Sequence, residues 1–406
     1  MEATLRSIFR KEFAGYRQQH GLSMDQYKAA QAIMDCQSEA LGHESWACLE
    51  DGHEEIEYHS CRHRSCPRCH QARTHDWLNQ IKGRLLPCDH YHVVFTLPHE
   101  LNPIWHFNRR WCSDHLFRAS AECLRELLRD ERYLGAEVGL ISSLHTWGRT
   151  LSFHPHMHVL VTGGGLGDGD WCPVRGGYLV PVAVLKAKFR GKWLNWLNRA
   201  YASGDIQLPS DWRDSDWSKA LRQVARKHWN VRIQERYSHG AGVAAYLSRY
   251  IRGGPIKDRR LISHERERVS FQYRDHRDGR EKSMVLRSND FMSRVLWHVP
   301  VNGQHTIRYY GLYVPGAEVK RGLVREALGA PVEKKEPRAR QKERNCPQCG
   351  SALYHRSSTR RQISSIRYEG VQQDVNAAFS GSAGIRVGSM SNAAPYFFRP
   401  CIGRIT

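Results

Sequence analysis

The chain has 406 residues, and its 61 lysines and arginines against 41 acids give a formal charge of +20 and a pI near 9.6. Such a surplus attracts polyanions, nucleic acid foremost. No apolar run approaches the roughly 20 residues a membrane span needs, and the charged start "MEATLRSIFRKEFAGYRQQHG" has no signal-peptide core. The expectation is therefore a cytoplasmic protein with no membrane segment, whose twelve cysteines stay reduced and, where clustered, hold metal.

Residues 1–84 open with helical sequence and then become dense in Cys and His. The stretch "CLEDGHEEIEYHSCRHRSCPRC" carries Cys48, Cys61, Cys66 and Cys69. Cys66-x-x-Cys69 has the spacing with which two thiolates grip one Zn²⁺, and Cys48 and Cys61 could complete a tetrahedron at sulfur–metal distances of about 2.3 Å. His43, His53, His59 and His63 lie near enough in sequence to substitute. Arg62, Arg64, Arg68 and Arg73 surround the knuckle, and a zinc-pinned loop would hold their guanidiniums ready for DNA phosphates.

Residues 85–315 alternate strand-like and helical runs. "HVVFTL", "EVGLISSL", "HMHVLVTG", "WNVRIQ", "RVSFQYR", "EKSMVLR" and "HTIRYYG" are short and rich in β-branched or aromatic residues. Helical sequence separates several of them, and "RDG" supplies turn residues between "SFQYR" and "EKSMVL". The pattern predicts an α+β domain with a mostly antiparallel central sheet flanked by helices.

Within it, "FHPHMHV" places His154, His156 and His158 at alternate positions. On a strand, His156 and His158 share a face, and His154 joins them if Pro155 leaves the geometry undisturbed. Neutral imidazoles so placed can coordinate a divalent cation. An all-imidazole site would suit zinc, and one shared with a phosphate oxygen would suit Mg²⁺ or Mn²⁺. Downstream, "GAGVAAYLSRYIRGGP" predicts a helix ending at Gly253-Gly254-Pro255, with Tyr246 and Tyr250 one turn apart on one face. Ala244, Leu247 and Ile251 form a separate stripe. A phenol with a pKa near 10 is a poor nucleophile at neutral pH, but it can attack a phosphodiester whose charge a metal withdraws.

Residues 316–345 read as a basic linker on the charged, proline-containing stretch "VEKKEPRARQKER". Residues 346–406 begin with a second knuckle, Cys346–Cys349, for which only His355 and the distant Cys401 lie downstream. They end in a Ser/Gly/Ala-rich tail expected to be poorly ordered.

"HMHVLV" resembles the histidine–hydrophobe–histidine motif of HUH endonucleases, and "YLSRY" resembles their two-tyrosine motif. With "HTWGRTLSFHPHMHVLVTGGGL", "FRGKWLNWL", "DRRLI" and "FMSRVLWHVPVNGQHTIRYYGLY" in order, residues 30–315 resemble the two-tyrosine rolling-circle transposases of the insertion-sequence-ninety-one type, which carry an N-terminal zinc-binding domain. The resemblance implies an HUH fold, with His156 and His158 binding Mg²⁺ or Mn²⁺ on a central strand and Tyr246 and Tyr250 attacking from a facing helix. A third ligand would be His154 or His145. Arg249, between the tyrosines, could screen phosphate charge, and Arg308 resembles a family position.

The implied reaction nicks single-stranded DNA at the element's ends, leaves a 5′-phosphotyrosine and a free 3′-OH, and transfers the strand to target DNA without ATP. This chain departs from many relatives at "CLED", where Asp51 stands in place of a cysteine. Zinc would then use Cys48, Cys61, Cys66 and Cys69, or recruit Asp51 or His53. An HUH replication initiator or relaxase is the alternative, although relaxases commonly place the tyrosine ahead of the histidines and no phosphate-loop motif is present. A non-catalytic zinc-containing DNA-binding protein would leave the histidines and tyrosines without a joint explanation.

Overall fold

Thr4 and Ser23 each accept a bond from the backbone N–H three residues on, and the side chains of Ser7 and Gln26 in turn accept one from the cap's own backbone N–H. These two capping boxes fix the starts of the first two helices. The structure is a computed structural model, and it describes residues 3–238, 243, 254–275, 277–331 and 344–360. Its helices are α1 (Leu5–Gln19), α2 (Met24–Asp35), α3 (Pro67–Lys82), α4 (Asn102–Phe107), α5 (Arg109–Arg129), α6 (Val182–Ala202), α7 (Asp214–Arg226), α8 (Ser288–Trp297) and α9 (Glu318–Ala327).

The strands are β1 (His43–Cys48), β2 (Glu54–Tyr58), β3 (His90–Thr96), β4 (Gly139–Trp147), β5 (Phe153–Thr162), β6 (Gly164–Gly167), β7 (Asp170–Pro173), β8 (Asn230–Tyr237), β9 (Leu261–Glu265), β10 (Arg268–Arg274), β11 (Glu281–Arg287), β12 (Ile307–Gly311) and β13 (Leu353–Ser358). All strand pairings between them are antiparallel. The fold is thus α+β, with antiparallel sheets flanked by helices. No helix among the described residues is long and apolar enough to cross a membrane.

The central sheet has five strands in the order β12-β4-β5-β3-β8, which leaves β5 in the middle. Alternation along the strands gives it two different faces. Val93, Phe95, Met157, Val159 and Val161 share a core with Phe117 and Leu124 of α5 and with Phe189 and Trp193 of α6. The Phe95 and Phe189 rings meet at 5.0 Å, and burying each contributes about 1.5–3 kcal/mol. On the opposite face, Ile141 and Leu160 share a core with Trp77 and Ile81 of α3, with Val324 of α9, and with Val243. His145, His156 and His158 fall in the alternation of this second face.

The N-terminal helices are seated on chain far away in sequence. Phe9, Phe13 and Ile33 share a core with Phe271, Phe291 and Leu296 of the β9–β11 sheet and α8. Tyr16 Oη lies 2.9 Å from Ser293 Oγ, and Gln26 Nε2 donates to the Leu296 carbonyl at 3.2 Å. The third sheet, β13-β1-β2, joins residues on either side of the basic stretch.

One region differs from expectation. Residues at the start of the anticipated linker form α9, because Val324, Arg321 and Arg325 are buried on one side of it. Arg321 donates to the carbonyls of Leu312 and Val314, and Arg325 to those of Gly83 and Leu85. These are cations used as struts, which composition alone reads as solvated charge.

Candidate active site and metal centres

The β4–β5 register sets His145 directly opposite His156, with His158 two residues further along β5. Directly paired residues on one face bring their side chains within about 5 Å. The His145 ring centre is accordingly 5.4 Å from that of His156 and 4.5 Å from that of His158, and the latter two are 4.8 Å apart. One nitrogen from each ring lies within 4.8 Å of the others. Of the two candidates for a third ligand, the structure brings His145 into the group. His154 is exposed at the outer end of the strand and stands outside it.

The hydrogen bonds on these rings leave suitable lone pairs. His156 Nδ1 lies 2.7 Å from the His154 carbonyl, which can only accept, so the proton is on Nδ1 and Nε2 carries the lone pair. His158 Nδ1 is bonded to His92 Nε2 at 2.9 Å, and a proton donated from His158 to His92 puts the lone pair of His158 on Nε2, the nitrogen that would ligate a cation. Trp147 stacks on His145 at 4.5 Å. Burial, then the neighbouring imidazoles, holds His156 and His158 well below the usual histidine range, and burial lowers His92 to about 4. Neutral imidazoles are the form that binds metal. The donor set fits a divalent ion.

His92 was missed in the sequence, although "HYHVV" repeats the alternation of "HMHVLV". It lies on the neighbouring strand, and strand order is not written in a local pattern. As the residue that orients His158, it has a measurable role. A His92→Phe protein is expected to bind Mn²⁺ about 10–100-fold more weakly by calorimetry, with unchanged zinc content.

Tyr246, Tyr250 and Arg249 lie outside the described residues. In their neighbourhood Val243 is described. It is fully buried, in the core shared with Ile141 and Leu160 on the histidine face.

The cysteine cluster requires a correction. Cys36, Cys61, Cys66 and Cys69 come together, and Cys48 is not among them. Cys36 Sγ and Cys61 Sγ lie 3.4 and 3.5 Å from Cys69 Sγ, near the roughly 3.8 Å edge of a tetrahedron built with 2.3 Å zinc–sulfur bonds. The reason is the β1–β2 hairpin. Its register pairs His43 with Tyr58 and Ala47 with Glu54, so Cys48 sits at the turn while Cys61 follows the opposite end. Cys36, the C-cap of α2, enters from that same opposite end. Cys48 instead lies with Asp51, Cys346 and Cys349.

Arg62, Arg64 and Arg68 are exposed beside the thiols. Arg64 donates to the Gln304 carbonyl at 2.5 Å, and Arg68 to Gln37 Oε1 at 3.0 Å. Arg308 on β12 pairs with Asp114 and lies over the Phe117 ring at 4.4 Å.

Two family profiles match the chain: one described as "Putative transposase" over residues 139–321, and one described as "Transposase zinc-binding domain" over residues 8–97. The chain is 38% identical over 364 residues to "Putative transposase y4qJ" of Sinorhizobium fredii (strain NBRC 101917 / NGR234), covering 84% of this chain and 92% of that protein. It is 30% identical over 303 residues to the transposase for insertion sequence element IS801 of Pseudomonas savastanoi pv. phaseolicola, covering 72% of this chain and 71% of that protein. No solved structure matches. An antiparallel α+β core with a thiol-rich zinc-binding domain ahead of it is thus the framework of a transposase. The chain belongs to the IS91-type transposase family.

Proposed function

We propose that this transposase nicks single-stranded DNA at the ends of its element by tyrosine attack, as an HUH enzyme, and transfers the strand in rolling-circle transposition. The observation that carries the reading is the gathering of His145, His156 and His158 on the adjacent inner strands β4 and β5. A divalent ion held by these imidazoles, Mg²⁺ or Mn²⁺ once phosphate oxygens complete the shell, would polarise the scissile phosphate.

Tyr246 and Tyr250 follow Val243 by three and seven positions, the spacing of one helix face. Val243 is buried on the histidine side of the sheet, which supports that face as the one meeting the site. The tyrosine oxygen forms a bond to phosphorus as the P–O3′ bond breaks. The phenolic proton passes to solvent, and the released 3′-oxygen takes up a proton. The phosphodiester energy stays in the phosphotyrosine link, so no ATP is required.

Zinc held by Cys36, Cys61, Cys66 and Cys69 would keep Arg62, Arg64 and Arg68 in one presentation toward DNA phosphates. Arg249 would act beside the tyrosines. A replication initiator or relaxase would share the nicking step, and the transposase relatives favour the first reading.

The test is incubation of the protein with labelled single-stranded oligonucleotides that span the element's termini. A covalent adduct that survives denaturing electrophoresis is expected with Mn²⁺ or Mg²⁺ and is lost with EDTA. Adduct formed equally in excess EDTA would overturn the assignment of the histidine site.

A further inference from the structure

We infer that Cys48, Asp51, Cys346 and Cys349 form a second structural zinc site, one that clasps the segment after the basic stretch to the N-terminal domain. The four ligand atoms lie within 4.8 Å of one another. Cys48 Sγ is 3.4 Å from Cys349 Sγ, and Cys346 Sγ is 3.1 Å from Asp51 Oδ2. Two residues separate the ligands within each pair, as in a zinc knuckle.

The two loops repeat one conformation. In "CLEDGH" the Cys48 N–H donates to the His53 carbonyl at 2.8 Å, and the Gly52 N–H to the Cys48 carbonyl at 3.2 Å. In "CPQCGS" the Cys346 N–H donates to the Ser351 carbonyl at 2.7 Å, and the Gly350 N–H to the Cys346 carbonyl at 2.9 Å. Gly52 and Gly350 take positive φ values of 70° and 80°, a conformation in which glycine carries no steric penalty. In the second loop the Gln348 N–H points at Cys346 Sγ at 3.4 Å, a donor that stabilises a thiolate. In the first loop Asp51 Oδ1 accepts from the His53 N–H at 2.9 Å, which orients Oδ2 toward the cluster. Antiparallel pairing of β1 with β13 brings the loops face to face.

The surrounding sheet needs such a staple. Its only cluster of buried apolar residues among those described is Cys48, Cys346 and Leu353, with Trp46 packed against it. β2 and β13 are otherwise almost wholly exposed. Three short strands with so little core do not hold themselves together, and a structural metal is the usual remedy. Three thiolates and one carboxylate suit zinc. The site joins residues 295 positions apart and so fixes β13 to β1. Asp51 and Cys349 are exposed, whereas Cys36, Cys66 and Cys69 of the other cluster are buried, so a chelator should empty the clasp first.

The test counts zinc in the full chain by mass spectrometry, in a His156→Ala/His158→Ala background so that the histidine site is silent. Two zinc ions per chain are expected. Cys346→Ser/Cys349→Ser should lose one and keep the other, and Cys36→Ser/Cys61→Ser should likewise lose one. Cobalt substitution with Asp51→Cys supplies a second readout in a chain whose two sites both stay filled. Its sulfur-to-cobalt band should rise by about one-seventh, as seven thiolate ligands become eight. One zinc in the parent chain, two retained in Cys346→Ser/Cys349→Ser, or an unchanged cobalt band in Asp51→Cys would each overturn the proposal.

Discussion

A His156→Ala/His158→Ala protein loses metal-dependent adduct formation by roughly a thousandfold or more, while the zinc bound by its cysteines stays in place. The magnitude follows from the role proposed for the pair. Lewis-acid assistance to a phosphoryl centre is worth several kcal/mol, and each 1.36 kcal/mol is tenfold in rate. Losing two of three imidazoles from the group of His145, His156 and His158 leaves too few ligands to retain the ion. Electrophoresis of the labelled adduct across a Mn²⁺ titration checks it, and full activity restored at high Mn²⁺ would refute the pair as the principal ligands.

The same histidines set a pH dependence. Burial keeps His156 and His158 well below the usual value and lowers His92 to about 4 and His298 to about 3. The folded chain holds these rings neutral at pH values where the unfolded chain protonates them. The unfolded state therefore binds more protons below about pH 6.5, and stability falls as the pH drops from there toward 4. A thermal midpoint that declines over this interval in metal-free protein, with a shallower slope in the His156→Ala/His158→Ala variant, is the expected result.

The secondary structure was largely legible because strand periodicity and helical spacing are local. "HVVFTL", "EVGLISSL", "HMHVLVTG" and "HTIRYYG" lie in or overlap β3, β4, β5 and β12, which are adjacent in the central sheet. What local pattern could not supply was which ends and neighbours meet. Cys48 looked like a partner of Cys61 because they are near in sequence, yet a hairpin carries them to opposite ends and brings in Cys36. His92 became the partner of His158 only through the pairing of β3 with β5. Cys346 and Cys349 lacked downstream partners because theirs lie near residue 50. In α9, Arg321 and Arg325 hid a packed helix under a charged composition.

Replacing Tyr246 and Tyr250 together by phenylalanine should abolish the covalent adduct altogether, a larger loss than any ligand change short of removing the metal. Phenylalanine keeps the ring and its packing and deletes only the oxygen that would attack phosphorus, so the folded chain and its Mn²⁺ affinity should persist. The two phenols stand at i and i+4, and both share the spacing of Val243, which is buried with Ile141 and Leu160 on the histidine face of the sheet. Single substitutions then separate their duties. A chain with one tyrosine can make one phosphotyrosine bond and free one 3′-OH, but it cannot hold a first strand while cleaving a second. Each single variant is expected to yield adduct from a one-site oligonucleotide and to fail in joining two ends. Labelled substrate resolved on a denaturing gel distinguishes these cases: adduct surviving the double change would move the nucleophile elsewhere, and strand joining by either single variant would show that one phenol suffices for both events.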